Sequence, residues 1–130
     1  MIMKKQLREE VYNKYKGHCA YCGEEVEYKD MHVDHIHPKE KSKWLQHENM
    51  KKLNGIPNEL TDIDSIENLN PSCRVCNLWK RDYLLEAFRK EIEYQAKRAN
   101  AYSTNYRMAK KYGLVKETKM PVVFYYEKVS

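Results

Sequence analysis

The stretch Met31-His32-Val33-Asp34-His35-Ile36-His37-Pro38 sets an acid among three imidazoles. It is answered downstream by Glu67-Asn68-Leu69-Asn70-Pro71-Ser72-Cys73-Arg74-Val75-Cys76-Asn77-Leu78-Trp79-Lys80. Acid, imidazole and amide side chains are the groups that hold a hard cation beside a proton acceptor. The rest of the chain reads as the scaffold that brings these two segments together.

The cysteines supply one reason to expect that meeting. Cys19-Ala20-Tyr21-Cys22 is a Cys-x-x-Cys turn closed by Gly23, whose lack of a side chain permits the tight backbone that aims both thiolates at one ion. Cys73-Arg74-Val75-Cys76 repeats the spacing, and the two pairs use all four cysteines of the chain. This is the ligand set of a closed structural zinc site, with no position left for water. Zinc is therefore expected as a staple between distant segments, in preference to disulfides or redox pairs.

The totals set the scale. A chain of 130 residues with 42% hydrophobic, 12% aromatic and 33% charged residues fits one ordered domain with a modest core and a wet surface. Twenty-four Lys and Arg against nineteen Asp and Glu give a formal charge of +5, which favours polyanionic partners such as nucleic acid without requiring one. No run approaches the roughly 20 apolar residues of a membrane span. The start, Met1-Ile2-Met3-Lys4-Lys5, leads into polar sequence, so no membrane association and a cytoplasmic location are expected.

Local patterns place the pieces. Leu7, Val11 and Tyr15 mark one stripe of a helix from Lys4 to about Lys16, ended by Gly17. Val26, Tyr28, Met31, Val33 and Ile36 alternate loosely, as in one or two short strands that Pro38 ends. Residues 39–66 form a long, poorly patterned insert punctuated by Asn54-Gly55 and Pro57. Leu78, Leu85, Phe88 and Ile92 predict one helix from about Asn77 to near Arg98, stacking Asn77, Lys80, Arg81 and Leu84 close to one face. A further helix is expected over Tyr102 to Tyr112, closed by Gly113, and a terminal strand over Pro121 to Tyr126. Tyr125 and Tyr126 are expected to pack in that strand rather than stack on bases.

Taken together and in order, Asp34-His35-Ile36-His37-Pro38, Glu67-Asn68-Leu69 and Cys73-x-x-Cys76-Asn77-x-x-Lys80 resemble the HNH endonucleases. The resemblance runs from Cys19 to Lys80, about half the chain. It implies an α+β fold: a small ββα-metal core stapled by a four-cysteine zinc, with flanking N- and C-terminal helices and a short C-terminal strand. On this reading residues 1–130 are a single nuclease domain with its core at 17–98 and an extension at 99–130. The setting it implies is the cytoplasm of a bacterial or phage-infected cell.

Carried over residue by residue, His35 resembles the family's general base and Asp34 with Asn77 its metal-ligand pair. Asn68 resembles the asparagine that holds the base in orientation. Lys80, or Arg81 in its place, stands where a basic partner of substrate phosphate is common. Asn77 is an amide where other members carry histidine, which implies Mg²⁺ or Mn²⁺ as the catalytic ion beside the structural Zn²⁺. His32 and His37 are open between a phosphate or ligand role and plain packing or exposure, while His18 and His47 read as packing or surface groups.

The function so implied is metal-dependent hydrolysis of phosphodiester bonds in DNA, by nicking if one site acts alone. The alternatives are a non-catalytic, zinc-stabilised DNA-binding module and an adaptor working through its C-terminal region. The sequence leaves oligomeric state open.

Overall fold

A computed structural model describes residues 3–129. Its centre is an antiparallel pair, β1 (His32–His35) and β2 (Leu69–Ser72), in the register His32 to Ser72, Val33 to Pro71, Asp34 to Asn70 and His35 to Leu69. One residue after β2, α3 (Arg74–Lys80) begins. Its first turn is fixed by the Cys73 side chain, which accepts the Cys76 N–H at 3.4 Å, and α3 packs back on β1. Two strands alone would be marginal in water, so the pair depends on what covers it.

Cover comes from both ends of the sequence. The first helix, α1 (Lys5–Asn13), lays Leu7 and Val11 against Met31, Ile66 and Leu69. Arg8 locks it there by donating to the carbonyls of Tyr28 and Met31 at 2.8 and 2.9 Å. A second cluster joins Cys19, Tyr21 and Cys73 to Phe88 of α4 (Leu85–Glu93) and to Phe124. Gly17 and Gly23 bracket the first cysteine pair at φ of +81° and +80°. A Cβ at Gly23 would lie 2.6 Å from the Tyr125 ring, so glycine is required on both counts.

The insert has a core of its own. A 3-10 turn over Lys39–Trp44 and the short α2 (Glu48–Leu53) enclose Leu45, Ile56, Leu60 and Ile63. Buried Lys51 closes this unit by donating to the Asn58 carbonyl at 2.9 Å.

Two expectations are overturned. The single helix expected from Asn77 to Arg98 is broken: α3 stops at Lys80, α4 runs over Leu85–Glu93, and α5 takes Gln95–Tyr102. The break is a reversal at Arg81, which has a positive φ of 52°, so Arg81 and Leu84 do not continue the face that Asn77 and Lys80 share. The C-terminal strand is absent among the described residues. Tyr125 and Tyr126 donate once each to the carbonyls of Tyr21 and Ala20 at 2.9 Å, and the chain then turns into α7 (Tyr125–Val129). The alternation of Val122, Phe124 and Tyr126 reflects packing on the Tyr21–Phe88 cluster, not a ladder. The helix expected at 102–112 is present as α6 (Thr104–Lys111), with the Ser103 side chain accepting the Tyr106 N–H at its start.

Candidate metal and catalytic site

The four cysteines converge. Their sulfur atoms all lie within 4.8 Å of one another, and Cys22 Sγ is 3.8 Å from Cys73 Sγ. Tetrahedral zinc with Zn–S bonds of about 2.3 Å sets its sulfurs about 3.8 Å apart, so the arrangement fits the ion. The thiols also crowd one another's charge. Cys19 is drawn down to about 4, chiefly by the hydrogen bond from Cys76, while burial pushes Cys22 up to about 11. Such a group ionises fully only around a cation. The Cys19–Cys22 loop is pinned to β2 by the Ala20 N–H, which donates to the Pro71 carbonyl at 2.9 Å. Zinc here would fix the start of α3, and with it Asn77, against β1.

Asp34 is buried and fully engaged from the inside. Its Oδ2 accepts from the Tyr21 hydroxyl, and Lys80 Nζ lies 3.2 Å from Oδ1 and 3.1 Å from Oδ2. The network extends outward: Asn70 Nδ2 donates to the Tyr21 oxygen at 3.3 Å, and Lys14 Nζ donates to Asn70 Oδ1 at 3.2 Å. Burial raises the Asp34 carboxyl above the usual range, with Lys80 and Tyr21 pulling the other way. Burial likewise lowers the Lys14 ammonium and raises the Tyr21 phenol well above its ordinary value.

Lys80 thereby departs from its expected role. It is 0% exposed and also donates to the His35 carbonyl at 3.2 Å, so it cannot reach a substrate phosphate. Only Arg81 of that expected pair is exposed.

His35 takes a partner that the sequence did not announce. Its Nε2 is 2.7 Å from Asp64 Oδ1, and the two side chains are 14% and 27% exposed. Asp64 comes from the insert, on a turn in which its N–H donates to Asp62 Oδ1 at 2.9 Å. Asn68, expected to hold the base in orientation, bonds to backbone on either side of the His35–Asp64 pair. Its Oδ1 accepts the His37 N–H at 2.8 Å, and its Nδ2 donates to the carbonyls of His37 and Ile63 at 3.1 and 2.7 Å. Asn68 thus clamps the backbone two residues after His35 to the backbone just before Asp64. The usable signal was the run Asp62-Ile63-Asp64-Ser65, whose spaced acids suit an Asx turn.

Asn77 lies at the edge of this cluster. Its Nδ2 meets His32 Nδ1 at 3.5 Å, and His32 shares a face of β1 with Asp34 because strand side chains alternate. His37 Nδ1 is buried without a partner among the described residues, and burial lowers its pKa. His18 stacks on Tyr125 with ring centroids 5.1 Å apart, the packing role expected of it.

The donor set suits a hard divalent ion in kind. Among the described residues, Asp34 Oδ1 accepts only from Lys80 and so keeps a lone pair, and the Asn77 amide oxygen has no protein partner.

The segment that carries the first cysteine pair, Asp34 and His35 has a counterpart among known families. Residues 19–54 match the family model of HNH endonuclease. The HNH match takes in Cys19, Cys22, Asp34, His35 and the first half of the insert; β2, α3, Cys73, Cys76 and Asn77 lie beyond it and join it through the fold. No curated protein matches the chain. Among the described residues, no helix is long and apolar enough to cross a membrane.

Proposed function

We propose that the chain is a single-domain, metal-dependent endonuclease that hydrolyses phosphodiester bonds in DNA, nicking one strand at a time, on a ββα-metal core formed by β1, β2 and α3. The observation that carries this reading is the His35–Asp64 pair at 2.7 Å, next to Asp34 in the HNH-matched segment. A carboxylate at Nε2 holds the proton on that nitrogen and leaves the Nδ1 lone pair free to accept another. His35 Nδ1 takes a proton from water, the hydroxide adds to phosphorus, and the bond from phosphorus to the 3′ oxygen breaks, that oxygen taking a proton from solvent water to leave as the 3′ hydroxyl. Mg²⁺ or Mn²⁺ held by Asp34 and Asn77 would supply Lewis-acid stabilisation of the charge that develops on phosphate. Asn68 and the insert keep His35 and Asp64 in line, while Lys80 and Tyr21 fix the Asp34 carboxylate.

One observation favours a second reading. Lys80 already neutralises Asp34 from within, as in a fold that has kept its shape for binding alone. A zinc-stabilised DNA-binding module would need neither His35 nor Asp64. Supercoiled plasmid incubated with zinc-loaded protein and Mg²⁺, Mn²⁺ or neither separates the two. The nuclease reading requires open-circle product in the first two and none in the third; retention of plasmid without nicking under all conditions would establish the binding module.

A further inference from the structure

The reversal after α3 holds a side chain where glycine is the natural residue. Arg81 has φ 52° and ψ −129°. Its N–H donates to the Asn77 carbonyl at 3.1 Å, and the Tyr83 N–H donates to the Lys80 carbonyl at 2.9 Å, closing a tight turn with Arg81 at its first inner position. Glycine enters that conformation freely, whereas a residue with a Cβ is strained there. The turn itself gains nothing from arginine. Strain kept at one residue is the kind of feature retained where the side chain is used.

The side chain faces a use. Arg81 lines an open cleft of about 500 Å³ with Leu78, Trp79, Tyr83, Glu91 and Arg98. Glu91 is committed to Arg98 by an ion pair, and Arg98 lies over the Tyr94 ring at 4.9 Å. The Arg81 guanidinium has no ion pair or hydrogen bond among the described residues, and Trp79 and Tyr83 are 45% and 37% exposed. Two accessible aromatic rings beside an unspent guanidinium match the face of a base and the phosphate next to it. Paired bases in a duplex are stacked inside it and offer no face to a side chain, so the complementary ligand is an unpaired nucleotide.

We infer that this cleft seats an unpaired nucleotide of a nucleic-acid strand, its base against Trp79 and Tyr83 and its phosphate on Arg81. Trp79 and Arg81 follow Asn77 in the chain by two and four residues, so the cleft opens at the C-terminal end of the helix that carries Asn77. The inference rests on the nuclease reading and deepens it, naming single-stranded or branched nucleic acid as the preferred form.

The test measures binding apart from cutting. Anisotropy of a labelled 12-nucleotide single strand and of the matching duplex, on zinc-loaded protein with no Mg²⁺ or Mn²⁺ added so that hydrolysis is stopped without stripping the cysteine site, is compared for the full chain and for Trp79→Ala, Arg81→Lys and Arg81→Gly, together with quenching of tryptophan emission. The single strand should bind at least tenfold more tightly than the duplex and quench Trp79, leaving Trp44 as the unchanged emitter in Trp79→Ala. Trp79→Ala and Arg81→Gly should each weaken single-strand binding about tenfold, with Arg81→Lys in between. Arg81→Gly should also melt a few degrees above the parent, because it releases the turn. Arg81→Gly that binds as tightly as the parent, or melts below it, overturns the inference, as does duplex preference without Trp79 quenching. A parent that nicks plasmid but fails these tests leaves the nuclease reading intact; a parent that binds single strands through Trp79 and cuts nothing leaves the cleft and removes the nuclease.

Discussion

His35 Nε2 and Asp64 Oδ1 stand 2.7 Å apart although 29 positions separate the two residues in the chain. The contact is built by the insert. Leu45, Ile56, Leu60 and Ile63 give residues 39–66 a small core, and Asn68 ties the Ile63 carbonyl to the backbone of His37, so both partners are held from the same side. Asp64 should therefore act on chemistry more than on substrate binding. Asp64→Asn keeps the shape but loses the charge, and it should lower kcat roughly ten- to a hundredfold, less than the full roughly 10²–10⁴ that a general base supplies because His35 itself remains, with KM little changed. Steady-state nicking kinetics check this; a KM effect with unchanged kcat would assign Asp64 to substrate contact instead.

Lys80 and Asp34 form a buried pair, 0% and 4% exposed at their side chains. Removing one partner strands the other charge away from water, a loss of about 3–5 kcal/mol. Lys80→Met should show a destabilisation of that size in urea unfolding. Adding Asp34→Asn should recover part of it, because the stranded charge is gone. A double-variant loss equal to the sum of the losses of Lys80→Met and Asp34→Asn taken singly would mean the pair is not coupled.

The Tyr21 phenol is held well above its ordinary value by burial, and Asp34 adds to the shift. Below about pH 10 the phenol is protonated in both folded and unfolded chains; above it the unfolded chain ionises first. Stability contributed by the neutral phenol is thus full below that point and is lost as pH rises toward the folded value. Burial raises Tyr15 and Tyr126 as well, so the parent's melting temperature should fall steeply above about pH 10. Tyr21→Phe should make that fall shallower, in melting curves taken from pH 8 to 11. An identical slope in both proteins would remove Tyr21 from the alkaline transition.

The cluster of four cysteines predicts one zinc per chain by elemental analysis and a fold that depends on it. Strong chelation should lower the melting temperature and loosen α3, seen as loss of amide protection at residues 74–80. Cys73→Ser should behave as the chelated parent does. A stable, zinc-free Cys73→Ser protein with α3 still protected would show that the staple is dispensable.

What could be read from the chain follows from which constraints are local. The cysteine spacing, α1, α6 and the adjacency of Asp34 to His35 are set within a few residues and stand in the sequence. The break after Lys80 is hidden because the apolar stripe Leu78, Leu85, Phe88 continues across it in helical register, while Arg81 occupies a backbone that composition would assign to glycine. The Pro121–Tyr126 alternation arises from packing against Tyr21 and Phe88, and periodicity alone does not distinguish that from a strand. Lys80 reads as a surface cation because a buried lysine is rare; only the placement of Asp34 and the His35 carbonyl around it makes burial tolerable. Asp64 is legible only as part of an Asx turn; that it meets His35 is fixed by tertiary packing of the insert, which has no pattern of its own.

The proposed chemistry turns on His35 as the group that takes the proton from water. The deciding comparison is single-turnover nicking of supercoiled plasmid in Mg²⁺ by the parent and by His35→Ala, with zinc content and melting temperature measured on both. The proposed chemistry predicts that His35→Ala retains its zinc and its fold while cleavage falls at least a hundredfold; a folded, zinc-loaded His35→Ala protein that nicks at the parent's rate would contradict it.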